Sequence, residues 1–272
     1  MSEPRAWKGS NSISDIWSGY ALQQCSKYLL RAVEGDPFAR EQMCLASTAA
    51  GVGFGKFTLD LWVKNFSLRL TFPILTTGSA GVHLCHAMSY PISSCVTNYR
   101  PLSGYNQALT TDTVKKSSEH IKLKENMVPH GLSVVLTAPA VFKWTSVADP
   151  ERHLKAAELL GKSLSQLLKV RYVREENNLS PLSLINIYIV GANVTNVKAA
   201  DSGLLLSDTI TSLLSHWTAF VPNGLQGVGY GSQHLEALVK GTLPQRKVIE
   251  VSPRQPTPED FNHMLESSMK LF

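Results

Sequence analysis

Long hydrophobic runs are absent from this sequence. No stretch of about 18 apolar residues is free of charge, so a membrane-spanning helix is not expected. The opening MSEPRAWKGS has neither the apolar core of a signal peptide nor the repeated arginines of a transit peptide, so no targeting segment is predicted. Hydrophobic residues still make up 43% of the 272 residues, which predicts a globular chain with a buried core.

Clustered charge and paired cysteines are missing as well. The formal net charge is +5, but lysine and arginine are spread along the chain without the basic, aromatic-rich stripe of a nucleic-acid groove, so no nucleic-acid partner is expected. No C-x-x-C pair occurs, which predicts free thiols in a reducing compartment. The four cysteines are Cys25, Cys44, Cys85 and Cys95.

Helical periodicity is the main pattern that is present. Ser14 is a candidate N-cap for the first helix, and Gly35-Asp36-Pro37 ends it. Pro91 is expected to stop the third helix and Pro139 to kink or end the fourth. The predicted helices cover residues 14–33, 38–50, 80–92, 134–142, 150–160, 199–214 and 258–271. These patterns predict a mainly α fold in one domain, 1–272.

Three stretches depart from the helical pattern. Residues 56–79 alternate apolar and polar side chains as strands do, 107–126 are polar and lysine-rich, and 162–190 run from a charged start into the β-prone LINIYIV. We interpret them as β-prone or irregular inserts. The stretches 56–79 and 162–190 both begin at the lysine of a Gly-Lys pair, Gly55-Lys56 and Gly161-Lys162. The codons GGTAAG encode this pair and also read as a splice donor, so retained introns or gene-model errors are one hypothesis. The alternative is that the two Gly-Lys pairs are a coincidence and that the inserts are translated and lie on the surface of the protein.

The segment HLCHAMSYP places His83 and His86 three residues apart, on one face of a predicted helix. Such pairs are common on helices, so this spacing alone indicates a metal site only weakly. The choice between a metal site and ordinary packing depends on the surrounding motifs.

Those motifs occur in a characteristic order. They are GVGFG, AGVHLCHAMSYPIS, MVPHGLSVVLTAPAVF, PERHLKAAELLG, DSGLLLSDTI and ALVKGTLPQRKV. Together they closely resemble the C-terminal helical domain of the iron-dependent alcohol dehydrogenases, and within that family its mitochondrial transhydrogenase branch. The resemblance implies the same helical domain here, interrupted by the three inserts.

The resemblance also implies two metal ligands. The family binds its metal through an Asp and a His four residues apart on one helix, followed by two later histidines. The later pair corresponds here to His86 and His130, whereas His83 and Cys85 match no ligand and are expected to pack. A bound iron or other divalent ion would leave a position open for an alkoxide oxygen.

The other half of the family site is not found. The sequence contains no D-x-x-x-H helix before Trp7, and neither a G-x-G-x-x-G fingerprint nor the related glycine-rich phosphate loop. The domain that would bind NAD is therefore expected to be missing. The chain looks truncated, and by itself it is expected to hold metal poorly and to lack activity.

Tyr90 stands four residues after His86, where many relatives carry a second histidine. The transhydrogenase branch has a tyrosine at this place, so Tyr90 favours membership of that branch. The resemblance also makes Tyr90 the implied catalytic residue. Its phenol could orient a substrate carboxylate or hydroxyl. Packing in a buried turn is the alternative, and the sequence leaves both open.

The implied function is oxidation of 4-hydroxybutyrate with reduction of 2-oxoglutarate, through a metal centre and a bound nicotinamide, in mitochondria. The implied partners are small hydroxyacids and oxoacids, with no membrane, and homo-oligomerisation is left open. The alternatives are a non-catalytic helical fragment or mis-spliced product, and another metal-dependent alcohol dehydrogenase.

Lys240 is expected either to close over a substrate or to end a helix. Five further histidines are predicted to be surface or capping residues: His120, His153, His216, His234 and His263.

Overall fold

The computed structural model describes residues 12–54, 82–101, 126–161, 198–216 and 221–272. Within these ranges every regular element is a helix and no strand occurs, which confirms the predicted mainly α class. The predicted inserts 56–79 and 162–190, and all of 107–126 except Asn126, lie outside the described residues. No helix in the described ranges combines the length and the apolar character needed to span a bilayer.

The α-helices of these ranges are α1 (Ser12–Val33), α2 (Pro37–Phe54), α3 (Leu84–Ser94), α4 (His130–Val135), α5 (Ala138–Thr145), α6 (150–161), α7 (Ser202–Ser215), α8 (Leu235–Thr242), α9 (Arg246–Ile249) and α10 (Pro258–Ser267). Short 3₁₀ turns lie at Ala199–Asp201, Gln226–Val228 and Ser232–His234. Most of the predicted helices are present, but the one expected over 134–142 is two helices, α4 and α5, and α8 and α9 were not predicted. Ser14, the candidate N-cap, lies inside α1.

The ends of α3 and α2 also differ from the prediction. Pro91 does not stop α3, which continues to Ser94. A proline inside a helix removes one backbone hydrogen bond, and α3 is stabilised at this point by burial of Pro91 and Ile92. Helix α2 also extends beyond residue 50, since residues 51–54 remain helical. The prediction that Pro139 kinks or ends a helix over 134–142 was wrong: α4 already ends at Val135, and Pro139 occupies the second position of the next helix, α5, where a missing N–H costs little.

The described residues fall into two compact units. The first contains residues 12–54, 82–83, 142–161, 198–212 and 250–255. Its helices α1 and α2 pack against each other and are joined by a turn at Gly35, whose φ of 101° favours glycine. In that turn the Asp36 carboxylate accepts hydrogen bonds from the Ala39 N–H and from Arg31. These contacts lower the pKa of Asp36 and fix the start of α2.

The second unit contains residues 84–101, 126–141, 213–216, 221–249 and 256–272. Helix α3 contacts α4, α8 and α9, and α8 also contacts α10. Large buried apolar side chains from these segments form the core of this unit: Leu84, Met88, Ile92, Val128, Leu136, Leu225, Leu238, Phe261 and Leu265. The prediction of a single domain over 1–272 stays a prediction.

Candidate metal centre

Helix α3 has two functionally different faces. Leu84, Met88 and Ile92 recur every four residues and are completely buried, so they form the face that packs into the core. His86 and Tyr90 are also four residues apart and share another face, where His86 is half-buried and Tyr90 is 46% exposed. The apolar spacing of α3 therefore directs His86 and Tyr90 away from the core.

Helix α4 begins at His130, directly after Pro129, and places an exposed imidazole beside that face of α3. The ring centres of His86 and His130 are 5.1 Å apart, with their planes inclined by 63°. The Tyr90 ring centre lies 6.5 Å from that of His130. The structure thus brings together His86, His130 and Tyr90, the three site residues that the family resemblance implied.

The environment of His86 favours its neutral form. Burial, reinforced by the nearby imidazole of His130, lowers the pKa of His86 to about 4. A neutral imidazole keeps a nitrogen lone pair, which is the form that binds metal ions. At neutral pH the His86 ring is therefore ready to act as a ligand without first losing a proton.

The geometry of the pair also suits a shared ion. In a tetrahedral site each ligating nitrogen lies about 2 Å from the metal, so two imidazole rings on one ion have centres roughly 5 Å apart. The observed separation of His86 and His130 is compatible with this value. However, the described ranges contain no group of three or more His, Cys, Asp or Glu side chains able to hold an ion. The histidines therefore fit half of a metal site.

The neighbours His83 and Cys85 pack, as predicted. The His83 ring meets Phe142 edge to face, with ring centres 6.1 Å apart. Cys85 is buried, and burial raises the pKa of its thiol to about 12, so the thiolate needed for metal binding is disfavoured. All four cysteines are free thiols.

Two serines that the sequence analysis missed connect the helices of the candidate site. Ser93 lies seven residues after His86 on the same face of α3, and its hydroxyl donates to Ser133 of α4 at 3.0 Å. The Ser133 hydroxyl in turn donates to the backbone carbonyl of His130 at 2.8 Å. Serine is common in helices of all kinds, so no sequence signal distinguished these two.

The remaining histidines divide by environment. His216 and His263 are exposed, as predicted, and His234 caps its turn by accepting from the Gly231 N–H at 2.9 Å. The prediction for His153 was wrong, because this side chain is only 2% exposed. Its Nδ1 bonds to the Asp149 carbonyl and its Nε2 to the Thr145 hydroxyl, which compensates for burial. His120 lies outside the described residues.

Lys240 lies in the last turn of α8. A cation at this end of a helix interacts favourably with the helix dipole. The simpler of its two predicted roles, that of a lysine ending a helix, therefore agrees with its position.

Comparison with solved structures identifies the fold. The chain superimposes on an alcohol dehydrogenase from Oenococcus oeni with a TM-score of 0.59 at 17% identity, covering 98% of this chain and 48% of that one. A 1,3-propanediol oxidoreductase gives a TM-score of 0.58 at 17% identity, covering 96% of this chain and 46% of the other. The fold is therefore that of the helical part of an iron-type alcohol dehydrogenase, as predicted.

Sequence comparison finds relatives that are more similar in sequence than these solved structures, and they are named as transhydrogenases. The chain is 38% identical over 269 residues to the mitochondrial hydroxyacid-oxoacid transhydrogenase of Xenopus laevis, covering 98% of this chain and 42% of the relative. It is 35% identical over 269 residues to a probable transhydrogenase of the same name from Dictyostelium discoideum, covering 36% of that protein. No family model matches the sequence. The predicted resemblance is confirmed, and the chain spans less than half the length of these relatives.

Proposed function

We propose that this chain provides the metal-binding helical part of a hydroxyacid-oxoacid transhydrogenase-like oxidoreductase, with His86 and His130 as two of the metal ligands. The supporting observation is the 5.1 Å separation of the two ring centres. Burial contributes as well, because it keeps His86 neutral. The similarity to relatives named as transhydrogenases supports the reaction class.

The residues present indicate separate roles for the two histidines and for Tyr90 in the proposed reaction. A divalent ion held by His86 and His130 would supply a Lewis acid for the substrate oxygen. The phenol of Tyr90, partly exposed beside His130, would donate a hydrogen bond to a carboxylate or hydroxyl of the substrate. The remaining ligands and the NAD site would lie outside the described part of this chain.

The proposed substrates are those implied by the resemblance, 4-hydroxybutyrate and 2-oxoglutarate, and the proposed location is mitochondrial, as the names of the relatives state for those proteins. A non-catalytic helical fragment is the competing function. It is favoured by the lack, within the described ranges, of a third candidate ligand.

A chimera tests the proposal directly. This chain would replace the 269-residue aligned part of the Xenopus laevis transhydrogenase, which supplies the rest of the enzyme. We expect the chimera to exchange hydride between 4-hydroxybutyrate and 2-oxoglutarate. His86→Ala or His130→Ala should each lower the rate by more than about 100-fold, since even the loss of groups around metal ligands costs roughly 10–100-fold.

The control is His263→Ala, because the His263 side chain is exposed and belongs to α10 rather than to α3 or α4. This variant should retain full activity. A folded chimera that is inactive, or one whose activity does not depend on His86 and His130, would contradict the proposal and favour the non-catalytic fragment.

A further inference from the structure

We propose that the hydrogen bond between Ser93 and Ser133 sets the separation of the His86 and His130 imidazoles. Both serines would then be positioning residues for this pair of proposed metal ligands. This inference rests on the proposed function of His86 and His130. It assigns a role to two hydroxyl groups whose hydrogen bonds are to each other and to backbone carbonyls. The argument comes from where each serine lies along its helix.

Each serine is rigidly linked to one of the histidines. Ser93 and His86 belong to the same helix, two turns apart on one face. Ser133 is one turn beyond His130 in α4, and its hydroxyl donates to the His130 carbonyl at 2.8 Å. Any sliding of α3 along α4 would therefore change the Ser93–Ser133 distance and the His86–His130 distance together.

The two hydroxyls are suited to fixing this position. Ser133 is fully buried and Ser93 is half-buried, and the 3.0 Å bond between their oxygens joins the two helices. The Ser93 hydroxyl also lies 3.3 Å from the carbonyl of Val128, just before α4. Apolar side chains could fill the same space, but they would allow small sliding, whereas a buried hydroxyl without its partner is costly.

The first test measures the imidazole pair without any metal. In the full chain, an NMR cross-relaxation signal between the His86 and His130 ring protons reports their proximity. We expect the signal in the wild-type protein and a clear loss of intensity in Ser93→Ala and in Ser133→Ala. The matched control is Ser26→Ala, which removes a buried hydroxyl that donates to the Leu160 carbonyl at 2.6 Å in the other unit.

The second test titrates the same proteins with Co²⁺ alone and follows its visible absorption. We expect Ser93→Ala and Ser133→Ala each to weaken Co²⁺ binding by about 10-fold, the lower end of effects seen for groups around metal ligands. The double variant should lose less affinity than the two single variants together, because both changes break the same Ser93–Ser133 bond. Far-ultraviolet circular dichroism confirms that each variant is folded, and Ser93→Ala serves if Ser133→Ala unfolds.

The outcomes separate the two proposals. If His86→Ala leaves Co²⁺ binding unchanged, the proposed ligand role fails, while the cross-relaxation signal still decides whether the serines set the ring separation. If His86→Ala abolishes binding but both serine variants match the wild type in affinity and in the ring signal, the positioning role is overturned and the proposed function stands.

Discussion

Gly241 of α8 lies directly against Pro91 of α3. A Cβ atom added to Gly241 would come within 2.7 Å of the Pro91 Cβ, closer than atoms of folded proteins approach. The proline ring cannot rotate away, since it is part of the backbone ring system. Close packing of α8 against the turn that carries Tyr90 therefore requires glycine at this position.

Gly241→Ala should destabilise the protein by about 1–3 kcal/mol, the usual cost of overpacking a core. The measurement is urea unfolding followed by circular dichroism. Gly51→Ala is the matched control, because Gly51 also lies in a helix but has no atom within 4 Å of an added Cβ. That variant should gain about 0.5–1 kcal/mol from helix propensity. Equal effects of the two substitutions would contradict the packing argument.

Tyr230 provides a second restraint on α3. Its buried hydroxyl donates to the carbonyl of Ile92 at 2.6 Å, and burial raises the pKa of the phenol. Tyr230→Phe should cost about 1–3 kcal/mol, since it leaves the Ile92 carbonyl without this donor. The free energy of unfolding in urea measures the effect. Tyr20→Phe, which changes a tyrosine that is 36% exposed, should cost much less, and a comparable loss there would argue against a specific role for the Tyr230 bond.

His153 makes the stability of the chain depend on pH. Burial lowers the pKa of His153, although its bond to the Asp149 carbonyl and the Asp149 charge oppose this. An unfolded histidine has a pKa of about 6.5, so between that pH and the lower folded value the unfolded chain binds the extra proton. The contribution of neutral His153 is thus complete above about pH 6.5 and is lost as the pH falls through this window.

His153→Gln provides the comparison, because glutamine does not titrate. Urea unfolding between pH 7 and pH 5 should show the wild type losing stability more steeply, by up to about 1.4 kcal/mol per pH unit. His86 titrates in both proteins, so the difference between them isolates His153. Parallel curves would rule out a pKa shift at His153.

Substitution of Tyr90 in the chimera tests whether its hydroxyl orients the substrate. Tyr90→Phe should lower kcat/KM by about 3- to 10-fold, because one hydrogen bond contributes about 0.5–1.5 kcal/mol. Stability and Co²⁺ binding should not change, since the side chain is 46% exposed and its hydroxyl is not a proposed ligand. An unchanged kcat/KM would contradict the proposed contact between Tyr90 and the substrate.

The helices were largely predictable because their signals are local. Asp36 fixes the start of α2, and Gly35 lies in the turn that ends α1, as their types suggest. The two prolines are exceptions: Pro139 begins a helix that it was expected to kink or end, and Pro91, which the sequence placed at the end of α3, is retained within it. Burial against Gly241 is a tertiary contact, so the residues next to Pro91 could not reveal it.

Helical periodicity in the sequence alone determined the mainly α class, and the order of the motifs determined the family resemblance, which in turn implied His86, His130 and Tyr90. Tertiary structure decided that the two imidazoles lie 5.1 Å apart, that two serine hydroxyls connect their helices, and that His153 is buried. These features arise where segments distant in the chain pack together. Hydrophobic periodicity indicates which face of a helix is buried, but it does not indicate which other segment of the chain packs against that face.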